Sequence, residues 1–162
     1  MSGWSRLEAI LVFELDTPSG EAANFALEVA HVQRVVELPP IFPVPLAPWA
    51  VRGIVNYDGR ILTVVDPGPI LHLGPQPVGS EFAVILRHGS NNVGVQVPRI
   101  RDVVARDHIG SQKKVGKDCV GWSGLAWGAT VNVVDPLLFM ERLQLQFGIS
   151  RSAEPSEGVD NE

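Results

Sequence analysis

VRGIVNYDGRILTVVDP, residues 51–67, is the stretch on which the fold turns. Val51–Asn56 and Arg60–Val65 are short runs rich in Val and Ile, with Tyr57, Asp58 and Gly59 between them. An Asp-Gly pair between apolar runs is a strong hairpin signal, because both residues tolerate the positive φ of a tight antiparallel turn. Within the runs, apolar and polar residues do not simply alternate. Ile54 and Val55 are adjacent, as are Val64 and Val65. Both faces of the hairpin are therefore expected to be covered, as in a closed or layered β structure.

The stretch is echoed downstream. At an offset of 69, Val120–Pro136 (VGWSGLAWGATVNVVDP) falls on Val51–Pro67, so that Gly128 meets Gly59 and Val133-Val134-Asp135-Pro136 meets Val64-Val65-Asp66-Pro67. At an offset of 68, Val93–Val104 falls on Phe25–Val36. An apolar run precedes each copy, Ile10–Leu15 in the first and Phe82–Leu86 in the second. The chain thus reads as two β modules of about 70 residues in one strand order, too few for a solenoid. Two small barrels or sandwiches packed together are the expected result.

Composition agrees. Hydrophobic residues make up 45% of the 162, and 13 prolines with 16 glycines fit many short strands and turns better than long helices. Net charge is −5; Arg151–Glu162 contributes −3, which leaves −2 for the rest. Duplex nucleic acid requires a clustered basic face, so it is not the expected partner. The single Cys119 excludes an internal disulfide and fits a reducing cytosol. No apolar run has bilayer-spanning length, and Met1–Phe13, which carries Arg6 and Glu8, has no signal-peptide core, so direct membrane insertion is not expected.

Around the hairpins, Ala9–Leu15 reads as a strand. Phe25–Leu38 reads as a strand pair or one bent strand, its phase slipping near Ala30-His31. Pro39–Pro48 holds five prolines and must be extended. Glu81–Arg87, Val93–Val97 and Ile100–Ala105 continue the sheet, whereas Arg106–Lys117 reads as a polar, exposed segment. Leu137–Phe147 is the one convincing helix, with Phe139, Met140, Leu143 and Phe147 as its apolar stripe and Gly148 as its stop. The composition of the last twelve residues is that of a disordered end.

The catalytic patterns fail on inspection. Asp66 and Asp135 occupy matching repeat positions, and two carboxylates near a pseudo-twofold axis are the ingredients of a hydrolase dyad. Each is followed by Pro, however, and Asp-Pro is a helix N-cap with its N1 residue. Gly121-Trp122-Ser123-Gly124 lacks the second glycine of a nucleophile elbow, since position 125 is Leu. His31, His72, His88 and His108 are scattered without the close pair usual in zinc sites, and no phosphate-binding or dinucleotide fingerprint exists. No cofactor or metal is expected. What remains is aromatic content near turns, at Trp49, Tyr57, Trp122 and Trp127, either core or binding hot spot.

From Ala9 to Phe147 the chain resembles the CheW-like family, adaptor modules of bacterial chemosensory two-component systems. Gly53–Pro67 is similar to the family pattern G-[VI]-x-N-L-R-G-x-[IV]-x-P-[VI]-x-D-L. Val32-Gln33-Arg34-Val35 resembles its V-x-E-[IV] segment, and Gly94–Val103 its G-x-x-V-D-x-V-x-x-V. The resemblance implies a mainly β fold of two SH3-like five-stranded barrels around a shared core, plus a C-terminal helix. It divides the chain into a first half at 7–78, a second half with the helix at 79–150 and a disordered acidic tail at 151–162, with strands free to cross between the halves of one domain. It also implies a cytoplasmic, non-enzymatic scaffold that couples a CheA-type histidine kinase, through its regulatory domain, to the cytoplasmic tip of methyl-accepting chemoreceptors.

By resemblance, the receptor groove falls on Val32, Arg34, Gly53, Asn56, Asp58 and Gly59, with Tyr57 and Trp49 as aromatic contacts. Departures from the pattern are Tyr57 for Leu, Asp58 for Arg, Thr63 for Pro, Pro67 for Leu, Pro98 for Asp and Arg34 for the acid. They point to a second reading, a CheW-like scaffold diverted to a non-standard partner set, and an aspartate-dependent hydrolase stands as a remote third. The reversed signs at positions 34 and 58 predict that Arg34 and Asp58 face each other from adjacent strands as a preserved charge pair.

Overall fold

The structure is a computed structural model and describes residues 8–77, 82–89 and 92–145. The residues before Glu8, the boundary at 78/79, Phe147, Gly148 and the segment 151–162 lie outside the described residues. In chain order the elements are β1 (Ala9–Asp16), β2 (Ala22–Glu28), a 3-10 turn (Val29–His31), β3 (Val32–Glu37), β4 (Val51–Tyr57), β5 (Arg60–Val65) and α1 (Pro67–Ile70). There follow β6 (Phe82–Leu86), β7 (Val93–Val97), β8 (Arg99–Ala105), a second 3-10 turn (Arg106–His108), β9 (Gly110–Lys117), β10 (Val120–Ala126), β11 (Ala129–Val134) and α2 (Pro136–Leu145).

The strands form two sheets, ordered β8-β1-β2-β11-β10-β9 and β3-β6-β7-β5-β4. The repeats exchange strands. β1 and β2 join strands of the second half, while β6 and β7 join β3, β4 and β5 of the first. Each exchange is sealed by a parallel pair, β2 with β11 and β5 with β7; the other pairings are antiparallel. The phase slip at Ala30-His31 is the 3-10 turn at which the chain leaves one sheet for the other.

The expectation of two mainly β modules around a shared core holds, with one addition. The segment expected to be polar and exposed, Arg106–Lys117, is exposed except at Ile109, whose side chain is buried with Ile10 and Val12, and Gly110–Lys117 of it forms a sixth strand on the outer edge of one sheet. At the matching edge of the other sheet, the Pro-rich segment contributes a single bridge, Phe42 with Ile54.

Adjacent apolar residues serve different cores. Leu11, Phe13, Leu15, Phe25, Leu27, Val65 and Val134 enter the core shared by the sheets, where α1 adds Ile70 and α2 adds Phe139, Met140 and Leu143. Ile10, Val12, Ala26 and Val133 form a second buried cluster on the opposite side of the six-stranded sheet. Val55, Leu62 and Val64 form a third on the five-stranded sheet. Because side chains alternate along a strand, Val64 and Val65 go to opposite cores, as do Val133 and Val134. Three of the hairpins turn on two residues of positive φ: Asp58 (54°) with Gly59 (77°), Trp127 (51°) with Gly128 (72°), and Asp118 (55°) with Cys119 (64°).

Candidate protein-interaction surface

β3 and β4 are the two ends of the five-stranded sheet. Val32 is buried opposite Leu86 in the shared core, and the ladder shifts register between Val32 and Arg34. Arg34 is exposed, and its Nη1 donates to the Tyr57 hydroxyl at 2.9 Å. This contact joins the two sheet ends, so the sheet curls around an interior filled by Val36, Val55, Leu62, Val64, Ala83 and Ile85. The hydrogen bond to Tyr57 and, behind it, the charge of Asp58 push the Arg34 guanidinium above its ordinary value.

The expected Arg34–Asp58 pair on adjacent strands is therefore corrected. β3 has β6 as its neighbour, and Asp58 lies beyond the end of β4, in the turn. The hydrogen bond goes to Tyr57, and Asp58 acts on Arg34 through charge alone.

Gly53 is buried, with φ +149°. A Cβ there would stand 2.3 Å from the Phe42 carbonyl oxygen and 2.7 Å from Ile41 Cγ2. That close approach lets Phe42 and Ile54 exchange two backbone hydrogen bonds of 2.9 Å, which pin the Pro-rich segment to the edge of β4. The pinned segment leaves apolar side chains in solvent: Phe42 is 64% exposed, Leu46 103% and Trp49 68%. Asn56 is exposed opposite Ile61, itself exposed, and Gly59 sits at the turn with open space around its α-carbon.

Arg34, Tyr57, Asp58 and Gly59 are thus gathered at one corner. Gly53 and Asn56 lie along the same strand, and Val32 lies beneath in the core. Sequence reasoning passed over Phe42, Val44 and Leu46. Their signal was the interleaving of large apolar residues with prolines in a segment too extended to bury them.

The two repeat-matched carboxylates cap helices. The Asp66 N–H donates to the Ala50 carbonyl at 2.7 Å, and Asp135 N–H to Cys119 carbonyl at 2.7 Å. Asp66 Oδ1 accepts from Gly68 N–H, and Asp135 Oδ1 from Leu137 N–H, each at 2.9 Å. Their surroundings then diverge. Asp66 is 2% exposed, accepts the Gln76 N–H at 2.9 Å and meets Arg52 Nη2 at 3.0 Å. The repeat counterpart of Arg52 is Gly121, and Asp135 is half-buried. Ser123 is buried in mid-strand, opposite Asn132 and Lys113, not on a strand-to-helix turn.

On the other sheet, Trp122 Nε1 donates to Glu28 at 3.0 Å, with Arg106 stacked 4.4 Å over its ring. Arg101 stacks 4.3 Å over Trp127. These tryptophans are engaged with neighbouring side chains, unlike the more open Trp49. Among the described residues, no three His, Cys, Asp or Glu side chains cluster as metal ligands. No helix among them is long and apolar enough to cross a membrane.

Comparison with known proteins adds three findings. The model of the CheW-like domain matches residues 10–135. A chemotaxis protein CheW from Thermotoga maritima is 30% identical over 95 residues, covering 59% of this chain and 60% of that protein's length. The crystal structure of the scaffolding protein TtCheW from Thermoanaerobacter tengcongensis aligns with a TM-score of 0.62 at 18% identity, over 83% of this chain and 88% of that one. The last likeness speaks to the fold.

Proposed function

The chain belongs to the CheW-like domain family, and from that premise we propose that it is a non-enzymatic chemosensory adaptor. It couples the regulatory domain of a CheA-type histidine kinase to the cytoplasmic tip of chemoreceptors, and it works in the cytoplasm at receptor arrays. Its working unit is the strand-exchanged fold as a whole, because neither half holds a complete sheet.

The observation that carries this reading is the corner built by β3, β4 and the pinned Pro-rich segment. There, Arg34 of β3 meets Tyr57 at the end of β4, Asn56 and Asp58 flank Tyr57, and the segment attached to β4 exposes Phe42, Leu46 and Trp49. Large apolar side chains held in solvent beside fixed polar groups make the mixture from which binding hot spots are built. In this proposal Asp66 and Asp135 have structural roles as caps, with no catalytic part.

A specific feature favours a diverted partner set within the same role. Arg34 and Asp58 stand where the family pattern has an acid and an Arg, so the local charge of the corner is rearranged. Complementary charge governs partner choice more than raw affinity. The test is affinity capture from the source cell with wild type and an Arg34→Glu, Trp49→Ala variant. A histidine kinase bearing a CheW-like regulatory domain should be retained together with receptors, and the variant should lose the receptors. Retention of neither by the wild type overturns the proposal.

A further inference from the structure

The chain has three lysines, Lys113, Lys114 and Lys117, and all three stand on β9. Its arginines are used differently. Arg34, Arg52, Arg99, Arg101, Arg106 and Arg142 each engage a hydroxyl, carboxylate, indole or imidazole. Among the described residues, no carboxylate lies within ion-pair distance of the three lysines. β9 itself has no acidic residue, every residue of it is exposed, and it is the outermost strand of its sheet. Edge lysines discourage pairing with another chain. A single-sign cluster on a chain of net charge −5 also attracts acidic polymer.

The sequence beyond α2 supplies such a polymer. Four of its last nine residues are acidic: Glu154, Glu157, Asp160 and Glu162. The exit from α2 lies close to β9. Arg142, in the last turn of α2, contacts His72, and His72 Nε2 is 3.7 Å from Asp118, the residue that follows Lys117. Eight residues lie between Leu145 and Glu154, and the nine residue steps span up to roughly 30 Å when extended. The distance along β9 from Lys117 to Lys113 is only about 13 Å.

We propose that the acidic segment Glu154–Glu162 docks along β9, the lysine-bearing edge strand. Contact is electrostatic and side-chain mediated, since Pro155 and Gly158 suit the segment poorly to adding a strand. Tethering holds the acids at an effective concentration in the mM range. The segment thereby occupies the one uncommitted cationic surface among the described residues and competes with any acidic partner that approaches this edge. The inference is independent of the kinase and receptor reading.

The test joins carbodiimide cross-linking, mapped by mass spectrometry, with backbone amide shifts of the full chain and of a chain ending at Ser150. Near 0.01 M salt the Debye length is about 30 Å, and near 1 M about 3 Å. Intramolecular isopeptide links from Lys113, Lys114 or Lys117 to Glu154, Glu157 or Asp160 are expected at low salt, falling at least several-fold at high salt. Removal of residues 151–162 should shift the amides of Ser111–Lys117. The triple substitution Lys113→Gln, Lys114→Gln, Lys117→Gln changes exposed residues only, and it should leave the fold intact while moving the amides of residues 154–162. Amides of β9 unmoved by truncation overturn the proposal. So do links that prove intermolecular in a mixture of isotope-labelled and unlabelled chains, which would assign the strand to a second copy.

Discussion

Replacing Gly53 by Ala should detach the Pro-rich segment from β4. The added Cβ would lie 2.3 Å from the Phe42 carbonyl oxygen and 2.9 Å from its carbonyl carbon, both backbone atoms that no rotamer change can move. Relief requires the segment to retreat, which breaks the two Phe42–Ile54 backbone hydrogen bonds of 2.9 Å. Each bond has a net value near 1 kcal/mol. Holding a non-glycine residue at φ +149° adds roughly 1 kcal/mol or more. The expected loss is about 3 kcal/mol, which in a domain of this size lowers Tm by roughly 6–12 °C. Gly59→Ala is the control, because φ is +77° there and nothing lies within 4 Å of the added Cβ; it should lose only about 1 kcal/mol. Urea unfolding of both variants, with hydrogen exchange at Phe42 and Ile54, makes the comparison. Equal losses in the two variants, or Phe42 and Ile54 amides still protected in Gly53→Ala, would refute the close-approach argument.

Further predictions concern the caps, the Arg34 corner and the buried thiol. Asp66→Ala strands a partly buried Arg52 and uncaps α1, so it should cost about 3 kcal/mol, against about 1 kcal/mol for Asp135→Ala; chemical denaturation reads both, and equal costs contradict the asymmetry. In double-mutant cycles, Arg34 should couple more strongly to Tyr57 (tested with Tyr57→Phe) than to Asp58 (tested with Asp58→Asn), and the reverse order would restore the charge-pair reading. Burial pushes the Cys119 thiol up, against the pull of Arg142. The unfolded chain therefore loses this proton first, so stability is unaffected well below the free-thiol value of about 8.5 and falls as pH rises past it. Cys119→Ala should remove that component of the slope in pH-dependent unfolding, and an unchanged slope counts against it.

The fold was legible where burial leaves a pattern. Adjacent apolar pairs such as Val64-Val65 and Val133-Val134 announced two-sided burial, and the structure sends the members of each pair to different cores. Asp58-Gly59 announced its turn through backbone chemistry alone. β9 was illegible as a strand because all eight of its residues are exposed, which leaves no period of two to read. The exchange of strands between halves has no local signature beyond the phase slip at Ala30-His31, since a strand buried on both faces reads the same in either sheet.

At the candidate surface, the motif positions could be read, but their partnerships could not. Charge reversal at Arg34 and Asp58 suggested a pair. The turn carries Asp58 beyond the strand end, and the Tyr57 hydroxyl takes the guanidinium instead. Gly53 matched a pattern without a visible reason. The reason is non-local: the approach of Phe42, eleven residues earlier in the chain.

The adaptor role is tested most directly by three-component assembly from purified parts. This chain is mixed with the regulatory domain of a CheA-type kinase and the cytoplasmic tip of a receptor from the same organism, and complexes are resolved by analytical ultracentrifugation. The proposal predicts a ternary complex that requires this chain, with the receptor but not the kinase released by a Phe42→Ala, Trp49→Ala variant whose thermal stability matches wild type. Kinase domain and receptor both sedimenting free of the folded chain would contradict it.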